Sequence, residues 1–471
     1  MVDGEVYIGG RMKAKKNRDS GAYWSCSYIE SGLTIQNAGL MFCCERNNPE
    51  IVEPRGSAIE TVDVFLQMRK RVIEANQTDK APCKGCPLLQ KREWSKEKTE
   101  YKIDFLNFGV QSYCQFSCIY CSLQRDAQLR EQKNKPEPFD SLTIVEEFKR
   151  RDMLSEHLRV DYASGEIAIH PQKNEYLDFI DRNAFTAAFS SNAGKYDEGI
   201  ADILGKNGRN SITVSMDAGT RETFALVHGT DRFDAVVANL EKYRQKGAQI
   251  YLKYILLKEN CDKNNINAFI EICSRIGVVE LVISGDCIRT RDFTSRAVSE
   301  PEIVQGAVWL AEGAIKNKIP FRMNGYLGTE NLNQIYAELA HNEEIKACER
   351  RLDMLLKMEN LILYGAGKNC ELFLDTWSSL HMKRPNVLWD ISANRTKGEE
   401  AGEKRWGFPL NPPEFETLDS TRDAVLITVT NGETNAALHC TMQDIGFNNS
   451  MTWYDLQMAL IAKMVSINKT P

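Results

Sequence analysis

The most informative stretch of this sequence runs Asn107-Phe-Gly-Val-Gln-Ser-Tyr-Cys114-Gln-Phe-Ser-Cys118-Ile-Tyr-Cys121. Cys114, Cys118 and Cys121 have the spacing C-x3-C-x2-C, which lets one short loop wrap around an iron–sulfur cluster. A cubane cluster with three protein thiolates keeps one iron open for a non-protein ligand. An open iron marks a site of chemistry, whereas a fourth cysteine would close the cluster into an electron carrier.

The alternatives for this triplet are a zinc knuckle and three unrelated core thiols. Structural zinc normally takes four ligands from paired elements, and no His or fourth Cys lies near the triplet. Buried free cysteines are common, but three within eight residues are not expected by chance. The spacing therefore favours a cluster.

Composition narrows the class of protein. The chain has 471 residues, 42% of them hydrophobic, and a formal net charge of -6 with mixed signs. This predicts two or three domains and argues against a general nucleic-acid binder. Neither a membrane span of about 20 apolar residues nor a signal peptide is visible, so we expect a cytoplasmic protein with no membrane partner. In a reducing cytosol, 14 Cys favour metal ligation over disulfides.

The chain divides into three parts by pattern. Residues 1–100 are rich in cysteine and loops, and residues 101–345 alternate apolar strands with amphipathic helices, which is typical of a parallel α/β sheet. Residues 358–471 repeat that pattern in a shorter unit, and the charged segment Glu343–Glu359 is predicted to be a bridging helix. The charged stretch Arg125–Asp140 either covers the substrate or is a solvated surface segment.

Polar residues follow the predicted strands of the middle part. The strands are expected at Tyr101–Val110, Val160–Ile169, Ala187–Asn192, Ser211–Asp217, Gln249–Leu257 and Val279–Gly285. Because ligands bind where the carboxyl ends of barrel strands converge, the candidate site residues are those at or near these ends: Glu166, Ser190, Asn192, Ser215, Asp217 and Lys253. Other interpretations stay open: Ser190 and Asn192 could turn the chain, Asp217 could be a helix N-cap, and Lys253 could face solvent.

The cysteine loop, with the aromatic Tyr120 before its last cysteine, resembles that of the radical S-adenosylmethionine (SAM) enzymes. Over residues of about 101–300 the strand order also resembles that family's partial (βα)6 barrel, which implies an α/β fold of the TIM-like radical SAM type. The resemblance implies a [4Fe–4S] cluster held by Cys114, Cys118 and Cys121. SAM would bind at the open iron and be cleaved reductively to a 5′-deoxyadenosyl radical.

Individual residues extend this resemblance. Ser164-Gly165-Glu166 looks like the family's Gly-Gly-Glu strand end, which binds the methionine amino group of SAM, with Ser in place of the first Gly. The resemblance makes Ser190, Asn192 and Ser215 candidate contacts of the SAM carboxylate or ribose. The run Val214–Phe224, with its continuation to Asp234, is similar to the branch that carries SPASM or twitch extensions.

The N-terminal cysteines form a second candidate metal site. The spacing of Cys26, Gly39 and Cys44 resembles a SPASM hairpin, whose cysteines hold auxiliary [4Fe–4S] clusters, although SPASM domains usually follow the barrel. We expect one auxiliary cluster on Cys26, Cys83, Cys86 and either Cys43 or Cys44. The alternative is a structural zinc at the same four thiolates.

The third part predicts a small Rossmann-like domain. Leu361–Tyr364 runs into Gly365-Ala-Gly367 and a helix, Val387–Asp390 ends in an acid, and Ala424–Val429 and Met451–Tyr454 complete the strands. Cys370 replaces the third fingerprint glycine, so a nucleotide site and a docking or dimerisation domain both stay open. The unit resembles domains attached to enzymes of surface-polysaccharide and sugar-nucleotide pathways.

Together these features predict a radical SAM enzyme that abstracts hydrogen from a carbohydrate-linked or other small metabolite. Modification of a peptide or protein is the alternative, suggested by the SPASM-like cysteines, and a non-catalytic zinc or iron–sulfur scaffold is the second alternative. The outcome after hydrogen abstraction stays open. The family resemblance also implies an electron donor such as flavodoxin or ferredoxin, and an oxygen-labile cluster implies an anaerobic or microaerobic cell.

Overall fold

The computed structural model describes most of the chain, in two compact units that span Met1–Asp292 and Phe293–Pro471. The described residues are 22–43, 50–79, 81–86, 88–92, 94, 101–109, 113–125, 130–131, 133–286, 300–394, 404–405, 408–429 and 432–468. Among the predicted site residues, Cys44 lies outside them.

The first unit is an α/β fold built around a mostly parallel sheet. Its strands are β1 (Tyr23–Ser25), β2 (Gly32–Gln36), β3 (Gly39–Met41), β4 (Gln90–Arg92), β5 (Ile103–Gly109), β6 (Leu154–Tyr162), β7 (Thr186–Ser191), β8 (Ser211–Ser215), β9 (Gln249–Leu256) and β10 (Glu280–Gly285). Its helices are α1 (Ser27–Ser31), α2 (Ala58–Ala75), α3 (Ser122–Arg125), α4 (Ser141–Arg150), α5 (Lys173–Arg182), α6 (Glu198–Lys206), α7 (Arg221–His228), α8 (Phe233–Gln245) and α9 (Lys263–Ile276).

Strands β5 to β10 lie side by side in chain order and all run parallel. Helices fill each connection, so the series has the βα repeat that the sequence predicts for a partial (βα)6 barrel. Both faces of such a sheet are covered, and β9 accordingly buries nearly its whole length, including Leu252 and Tyr254. The predicted α/β fold class is confirmed.

The N-terminal hairpin extends this same sheet. β2 pairs antiparallel with β3 through the turn at Asn37, as the sequence predicts, and pairs parallel with β5. The buried hydroxyl of Tyr101 donates to the carbonyl of Gly32 and fastens the hairpin to the start of the barrel. β1 and β4 form a separate antiparallel pair.

One local prediction is wrong, and two of the alternatives left open by the sequence are excluded. The strand predicted to reach Ile169 ends at Tyr162, because Gly165 adopts a left-handed φ of 68° and a 3-10 turn follows. The N-cap of α7 is Thr220 and not Asp217, since the Thr220 side chain accepts from the backbone N–H of Thr223. Lys253 does not face solvent, as it is only 4% exposed on β9.

The second unit contains a small parallel sheet with a Rossmann-like strand order. The strands of this sheet are β12 (Asn360–Tyr364), β13 (Val387–Trp389), β14 (Lys404–Arg405), β15 (Phe408–Asn411), β16 (Asp423–Ile427) and β17 (Ser450–Met451). The unit also contains β11 (Phe321–Met323), which is not part of this sheet. Its helices are α10 (Pro301–Lys316), α11 (Thr329–Leu339), α12 (Glu343–Leu355), α13 (Lys368–Ser379), α14 (Gly432–Asp444) and α15 (Trp453–Asn468). The predicted last strand, Met451–Tyr454, is too long, because Trp453 already begins α15.

Five strands of this unit are parallel and lie in the order β15-β13-β12-β16-β17. Numbered along the chain, this is 3-2-1-4-5, the first five strands of the 3-2-1-4-5-6 order of dinucleotide-binding sheets, with the switch point between β12 and β16. The hydrophobic core of this unit includes Ile362, Val425 and Ile427. The predicted helix before the sheet is confirmed as α12, which packs against α15.

Candidate active site at the strand ends

The cysteine loop leaves the carboxyl end of β5 and is docked on the C-terminus of α7. The backbone N–H of Ser117 donates to the carbonyl of His228 over 3.0 Å, and that of Ile119 donates to the carbonyl of Val227 over 2.9 Å. Gly229 closes α7 with a φ of 65°, and a Cβ there would stand 3.0 Å from the carbonyl oxygen of Ser117. Both the left-handed φ and the close approach to Ser117 require glycine at position 229. This turn fixes the middle of the cysteine loop.

Side chains from the segment after the loop hold its first half. The Cys114 backbone N–H donates to Asn134 Oδ1 over 3.1 Å, and Lys133 Nζ donates to the carbonyl of Phe116 over 2.7 Å. Farther along this segment, Glu137 is buried and accepts from His170 Nε2 at 3.0 Å. These hydrogen bonds attach part of the charged stretch after the loop to the barrel.

The three thiols of the loop are half-buried and influence one another electrostatically. Burial raises the pKa of Cys114, and Glu166 and Cys121 raise it further. Burial also raises the pKa of Cys118 well above its ordinary value, with added contributions from Cys114 and Cys121. Within the described residues, no three His, Cys, Asp or Glu side chains already form a metal-binding group. The donor set still fits an iron–sulfur cluster, since the three thiols share one loop and thiolates are the ligands that iron–sulfur clusters take.

Glu166, the acid after β6, is fully buried and anchors two neighbouring strand ends. Its carboxylate accepts from Ser191 Oγ at 3.0 Å, from the Asn192 N–H at 2.6 Å and from the Ala168 N–H at 3.0 Å. Its own N–H donates to the carbonyl of Tyr113 over 2.7 Å. Burial raises the pKa of Glu166, and these hydrogen bonds oppose the rise. Glu166 therefore links the loop, the end of β6 and the end of β7.

Asn192 reaches from β7 to the first thiol. Its Nδ2 lies 3.5 Å from Cys114 Sγ, and its Oδ1 accepts from Gln115 Nε2 at 2.9 Å. The same Oδ1 accepts from the Gly194 N–H at 2.8 Å, so the turn-forming role considered for Asn192 is also present. The structure brings this predicted residue to the cysteine loop.

The two predicted serines, Ser190 and Ser215, lie near the ends of β7 and β8. Ser190 is half-buried on β7 opposite Thr213, and Ser215 ends β8 opposite Lys253. The neighbour of Ser190, Ser191, is the serine that binds Glu166. Side chains alternate between the two faces of a strand, so Ser190 and Ser191 lie on opposite faces. This alternation is the sequence signal that distinguishes Ser191 from Ser190.

Asp217 lies in the left-handed region, with a φ of 52°, and is fully buried after β8. Its Oδ1 accepts from the Ile255 N–H at 2.6 Å, and its Oδ2 accepts from the hydroxyl of Tyr120 at 2.6 Å. Burial raises the pKa of Asp217, whereas His228 and, more weakly, Lys253 lower it. Asp217 thus joins β8 and β9 to the aromatic residue of the loop.

His228 is the functional candidate that sequence reasoning missed. Its Nδ1 lies 3.1 Å from Cys118 Sγ, and its Nε2 lies 2.9 Å from the carbonyl oxygen of Met216. Burial lowers the pKa of His228, and the Asp217 carboxylate opposes that effect. No spacing rule links His228 to a cysteine 110 residues earlier, so only the fold reveals the contact.

The N-terminal thiols are brought together in part. Cys26 and Cys83 are buried. Cys83 and Cys86 lie in one tight turn, in which the backbone N–H of Cys86 donates to the carbonyl of Cys83 over 2.9 Å. Burial raises the pKa of Cys26 to about 12, and Cys83 and Cys86 contribute to the rise. Cys43 is also buried. Cys26 therefore lies within electrostatic range of Cys83 and Cys86, but among the described residues these three thiols do not form a metal-binding group.

In the second unit, Asp390 binds the glycine-rich turn itself. Its Oδ2 accepts from the Ala366 N–H at 2.7 Å, and Thr428 Oγ1 donates to the carbonyl of Gly365 over 2.7 Å. Gly365 has a φ of 110°, and a Cβ there would lie 2.9 Å from Val429. Among the described residues, a Cβ on Gly367 would meet no atom within 4 Å, so this described part of the turn has open space beside it.

Comparison with known proteins gives one family match. The radical SAM superfamily model matches residues 108–265, which include the cysteine loop, Glu166 and Asp217. Among curated proteins, the chain is 26% identical over 181 residues to a probable GTP 3′,8-cyclase of Metallosphaera sedula, covering 38% of this chain and 54% of that protein. It is 24% identical over 174 residues to the GTP 3′,8-cyclase of Chlorobaculum tepidum, covering 36% of this chain and 50% of that one. The chain thus spans about half the length of the curated relatives it matches.

Solved structures show weaker likeness. Streptococcus suis SuiB bound to its precursor peptide SuiA aligns with a TM-score of 0.39 at 12% identity, covering 68% of this chain and 75% of that chain. Native anSMEcpe with bound AdoMet aligns with a TM-score of 0.37 at 14% identity, covering 51% and 66%. At these TM-scores the likeness supports no inference about ligands. Across the described part of the chain, none of the helices has the length and apolar character needed to span a membrane.

Proposed function

This chain belongs to the radical SAM superfamily of enzymes, and we propose that it abstracts hydrogen from a carbohydrate-linked or other small-metabolite substrate. Cys114, Cys118 and Cys121 would hold the [4Fe–4S] cluster. When bound, the cluster supplies the electron that cleaves SAM and thereby generates the hydrogen-abstracting radical. The protein contributes binding, orientation and exclusion of water.

The observation that carries the site assignment is the direct connection between the loop and two strand ends. Glu166 donates from its backbone to Tyr113, beside Cys114, and accepts from Asn192, whose side chain contacts Cys114 in turn. A displacement of any one of these groups would move the others. This closed set of contacts supports a site in which the first thiol and the SAM-binding strand ends keep a fixed spacing.

Glu166 is proposed to bind the ammonium group of SAM. An ionised carboxylate offers about four acceptor positions, and three protein donors already contact this one: Ser191, Asn192 and Ala168. About one position is then left for a charge-assisted hydrogen bond from an ammonium group. Ser190 and Ser215, both half-buried at neighbouring strand ends, are proposed contacts of the carboxylate or ribose.

Asp217 and Lys253 are proposed to support the site by orienting the cysteine loop. Asp217 has both oxygens engaged by Tyr120 and Ile255, so it is suited to orient the loop more than to bind substrate. Lys253 is buried on the adjacent strand and lowers the pKa of Asp217. The cation offsets part of the charge that a buried carboxylate carries.

A nucleotide-containing small molecule is the substrate class that we favour. The named activity of the curated relatives concerns GTP, and the 3-2-1-4-5 sheet of the second unit is of the kind that binds nucleotides at its switch point. The open space beside Gly367 lies in the turn at that point. A peptide substrate, suggested by the SPASM-like cysteines, is the competing outcome of the test.

The test is anaerobic reconstitution with iron and sulfide, followed by dithionite, SAM and panels of nucleotide sugars, nucleotides and peptides. The assay measures 5′-deoxyadenosine and the consumption of substrate. The Cys114→Ala/Cys118→Ala/Cys121→Ala variant should form no deoxyadenosine. Deoxyadenosine formation that only peptides stimulate would overturn the small-metabolite assignment.

The turn of the second unit offers a sharper test of the substrate class. Gly367→Glu places a carboxylate in open space, where it should repel phosphates without disturbing packing. Gly208→Glu in the first unit is the matched control, because a Cβ at Gly208 also meets no atom within 4 Å. Loss of nucleotide-stimulated turnover in Gly367→Glu alone is expected. Equal turnover in both variants would contradict a nucleotide site at this turn.

A further inference from the structure

Cys118, the middle thiol of the triplet, has surroundings unlike those of Cys114. Cys118 Sγ lies 3.1 Å from the ring nitrogen Nδ1 of His228. Cys114 Sγ has a longer contact of 3.5 Å with the Asn192 amide. The environment of the triplet is therefore asymmetric.

The imidazole of His228 is held rigidly against Cys118. The ring is 1% exposed and stacks at a tilt on Phe224, with a centroid distance of 4.4 Å. The second ring nitrogen faces the carbonyl oxygen of Met216 at 2.9 Å. These contacts define one ring orientation, in which Nδ1 points at the sulfur.

The backbone of the same residue holds the loop on the other side of the thiol. The carbonyl of His228 accepts from the N–H of Ser117, the residue before Cys118, and the carbonyl of Val227 accepts from the N–H of Ile119, the residue after it. Backbone and side chain of α7 thus constrain three consecutive loop residues. A residue that served only to fill space would need no such polar alignment.

We propose that His228 is a positioning residue for the cluster, which fixes the sulfur of Cys118 and hydrogen-bonds to it once iron is bound. A metal-bound thiolate sulfur and a carbonyl oxygen can only accept hydrogen bonds, so both ring nitrogens are donors in that state. Nε2–H faces the carbonyl of Met216, and Nδ1 carries the proton that the Cys118 thiol gives up on binding iron. Such a bond withdraws charge from the sulfur and makes reduction of a cluster easier. This inference rests on the proposed function, because it takes the triplet as the cluster site.

Asp217 completes the arrangement as the carboxylate behind the histidine. Its Oδ2 lies 3.6 Å from His228 Nε2 and accepts from the hydroxyl of Tyr120 at 2.6 Å. The His228 ring and the hydroxyl of the loop residue Tyr120 therefore both face one buried carboxylate. The Asp217 carboxylate therefore sets the orientation of both the His228 ring and the Tyr120 hydroxyl.

Two substitutions separate the two ring nitrogens. In His228→Asn the amide nitrogen stands near the position of Nδ1 and can still donate to the sulfur, whereas in His228→Gln it stands near Nε2 and retains only the contact with Met216. His439→Gln is the matched control, since His439 is a half-buried histidine of the second unit, hydrogen-bonded to Ser450. All variants are reconstituted with iron and sulfide, and the cluster midpoint potential is measured by redox titration with EPR detection.

We expect the lowest midpoint potential and altered g-values in His228→Gln, and a midpoint potential between that value and the wild type in His228→Asn, whose neutral amide still donates to the sulfur. His439→Gln should have wild-type values. Equal potentials in His228→Asn and His228→Gln would overturn the proposal. If His228→Gln binds no iron, wild-type protein labelled with 15N-histidine decides by pulsed EPR: a histidine nitrogen coupling without SAM supports the contact, and its absence contradicts it. A wild type without any reducible cluster would instead overturn the proposed function.

Discussion

The two groups of cysteines in the first unit differ in what surrounds their sulfur atoms. Cys114 and Cys118 are half-buried and contact the side chains of Asn192 and His228, which come from other parts of the barrel. Cys26 and Cys83 are 7% and 8% exposed. For Cys83, the nearby polar partner is local, since its N–H donates to Asn76 Oδ1 over 3.1 Å.

This difference separates a site built for reaction from one built for stability. A reacting centre needs access for its ligand and long-range contacts that fix its geometry. A buried group of thiols with local contacts is typical of a site that fastens a chain segment. The comparison therefore predicts that the loop thiols govern catalysis and that the N-terminal thiols govern folding.

The largest expected effect comes from exchanging one thiol in each group. Cys118→Ser should reduce 5′-deoxyadenosine formation to the background, because a cluster ligand is lost. Cys26→Ser should leave the rate per loaded loop cluster within about threefold and lower the melting temperature instead, by about 2–4 °C per kcal/mol lost. Deoxyadenosine assays and thermal unfolding of both variants check this, and a Cys26→Ser variant that folds normally yet cleaves no SAM would break the distinction.

Glu166→Gln should weaken SAM binding by about tenfold to a hundredfold, which corresponds to the loss of a charge-assisted hydrogen bond of about 1.5–3 kcal/mol. The amide also presents N–H groups to a shell of N–H and O–H donors, so the free energy of unfolding should fall by about 1–3 kcal/mol. Equilibrium SAM binding and urea unfolding measure the two effects. Glu175→Gln, an exposed acid on α5, is the control, and equal SAM affinity in both variants would contradict the assignment.

Metal uptake by the N-terminal thiols should depend steeply on pH. Burial raises the pKa of Cys26 to about 12, so the thiol keeps its proton near neutrality and must lose it to bind metal. The apparent affinity should therefore rise by at least about tenfold per pH unit between about pH 7 and pH 9. Cobalt titration of the Cys114→Ala/Cys118→Ala/Cys121→Ala variant, followed by thiolate absorption, tests this; an affinity that stays constant with pH would show that these thiols do not act as ligands.

Asn192→Ala should have the smallest effect. It removes the amide beside Cys114 and the contact with Gln115, but the bond to Glu166 comes from the backbone and persists. A loss of about 1 kcal/mol is expected for one neutral hydrogen bond, which is a decrease of about fivefold in SAM cleavage at normal iron content. An iron content that falls to that of the triple alanine variant would mean that Asn192 is needed for cluster binding itself.

The sequence predicted the order of the barrel strands because their apolar runs are long and regular. Predicted and observed β7, β8, β9 and β10 differ by at most two residues at either end. The end of β6 is harder to predict, since apolar residues resume at Ile167 after Ser164-Gly165-Glu166, while the left-handed Gly165 turns the chain away from the sheet. Backbone conformation at one glycine decided where the strand stops.

The site was predictable only where residues lie next to a strand end. Glu166 and Asn192 were found in this way and meet the cysteine loop in the structure. Ser191 was overlooked in favour of Ser190, although the alternation of buried and half-buried residues distinguishes them. His228 could not have been found, because its contact with Cys118 depends on how α7 returns to the loop.

The most direct test of the central claim measures the loop cluster without the N-terminal site. A Cys26→Ala/Cys83→Ala/Cys86→Ala variant is reconstituted anaerobically, its iron is counted, and the EPR spectrum of the reduced cluster is recorded before and after SAM is added. We predict about four irons per chain and a spectrum that changes with SAM, as an open iron requires. An iron-free variant that keeps the wild-type circular dichroism spectrum, or an EPR spectrum that SAM leaves unchanged, would contradict the claim that Cys114, Cys118 and Cys121 hold a SAM-binding cluster.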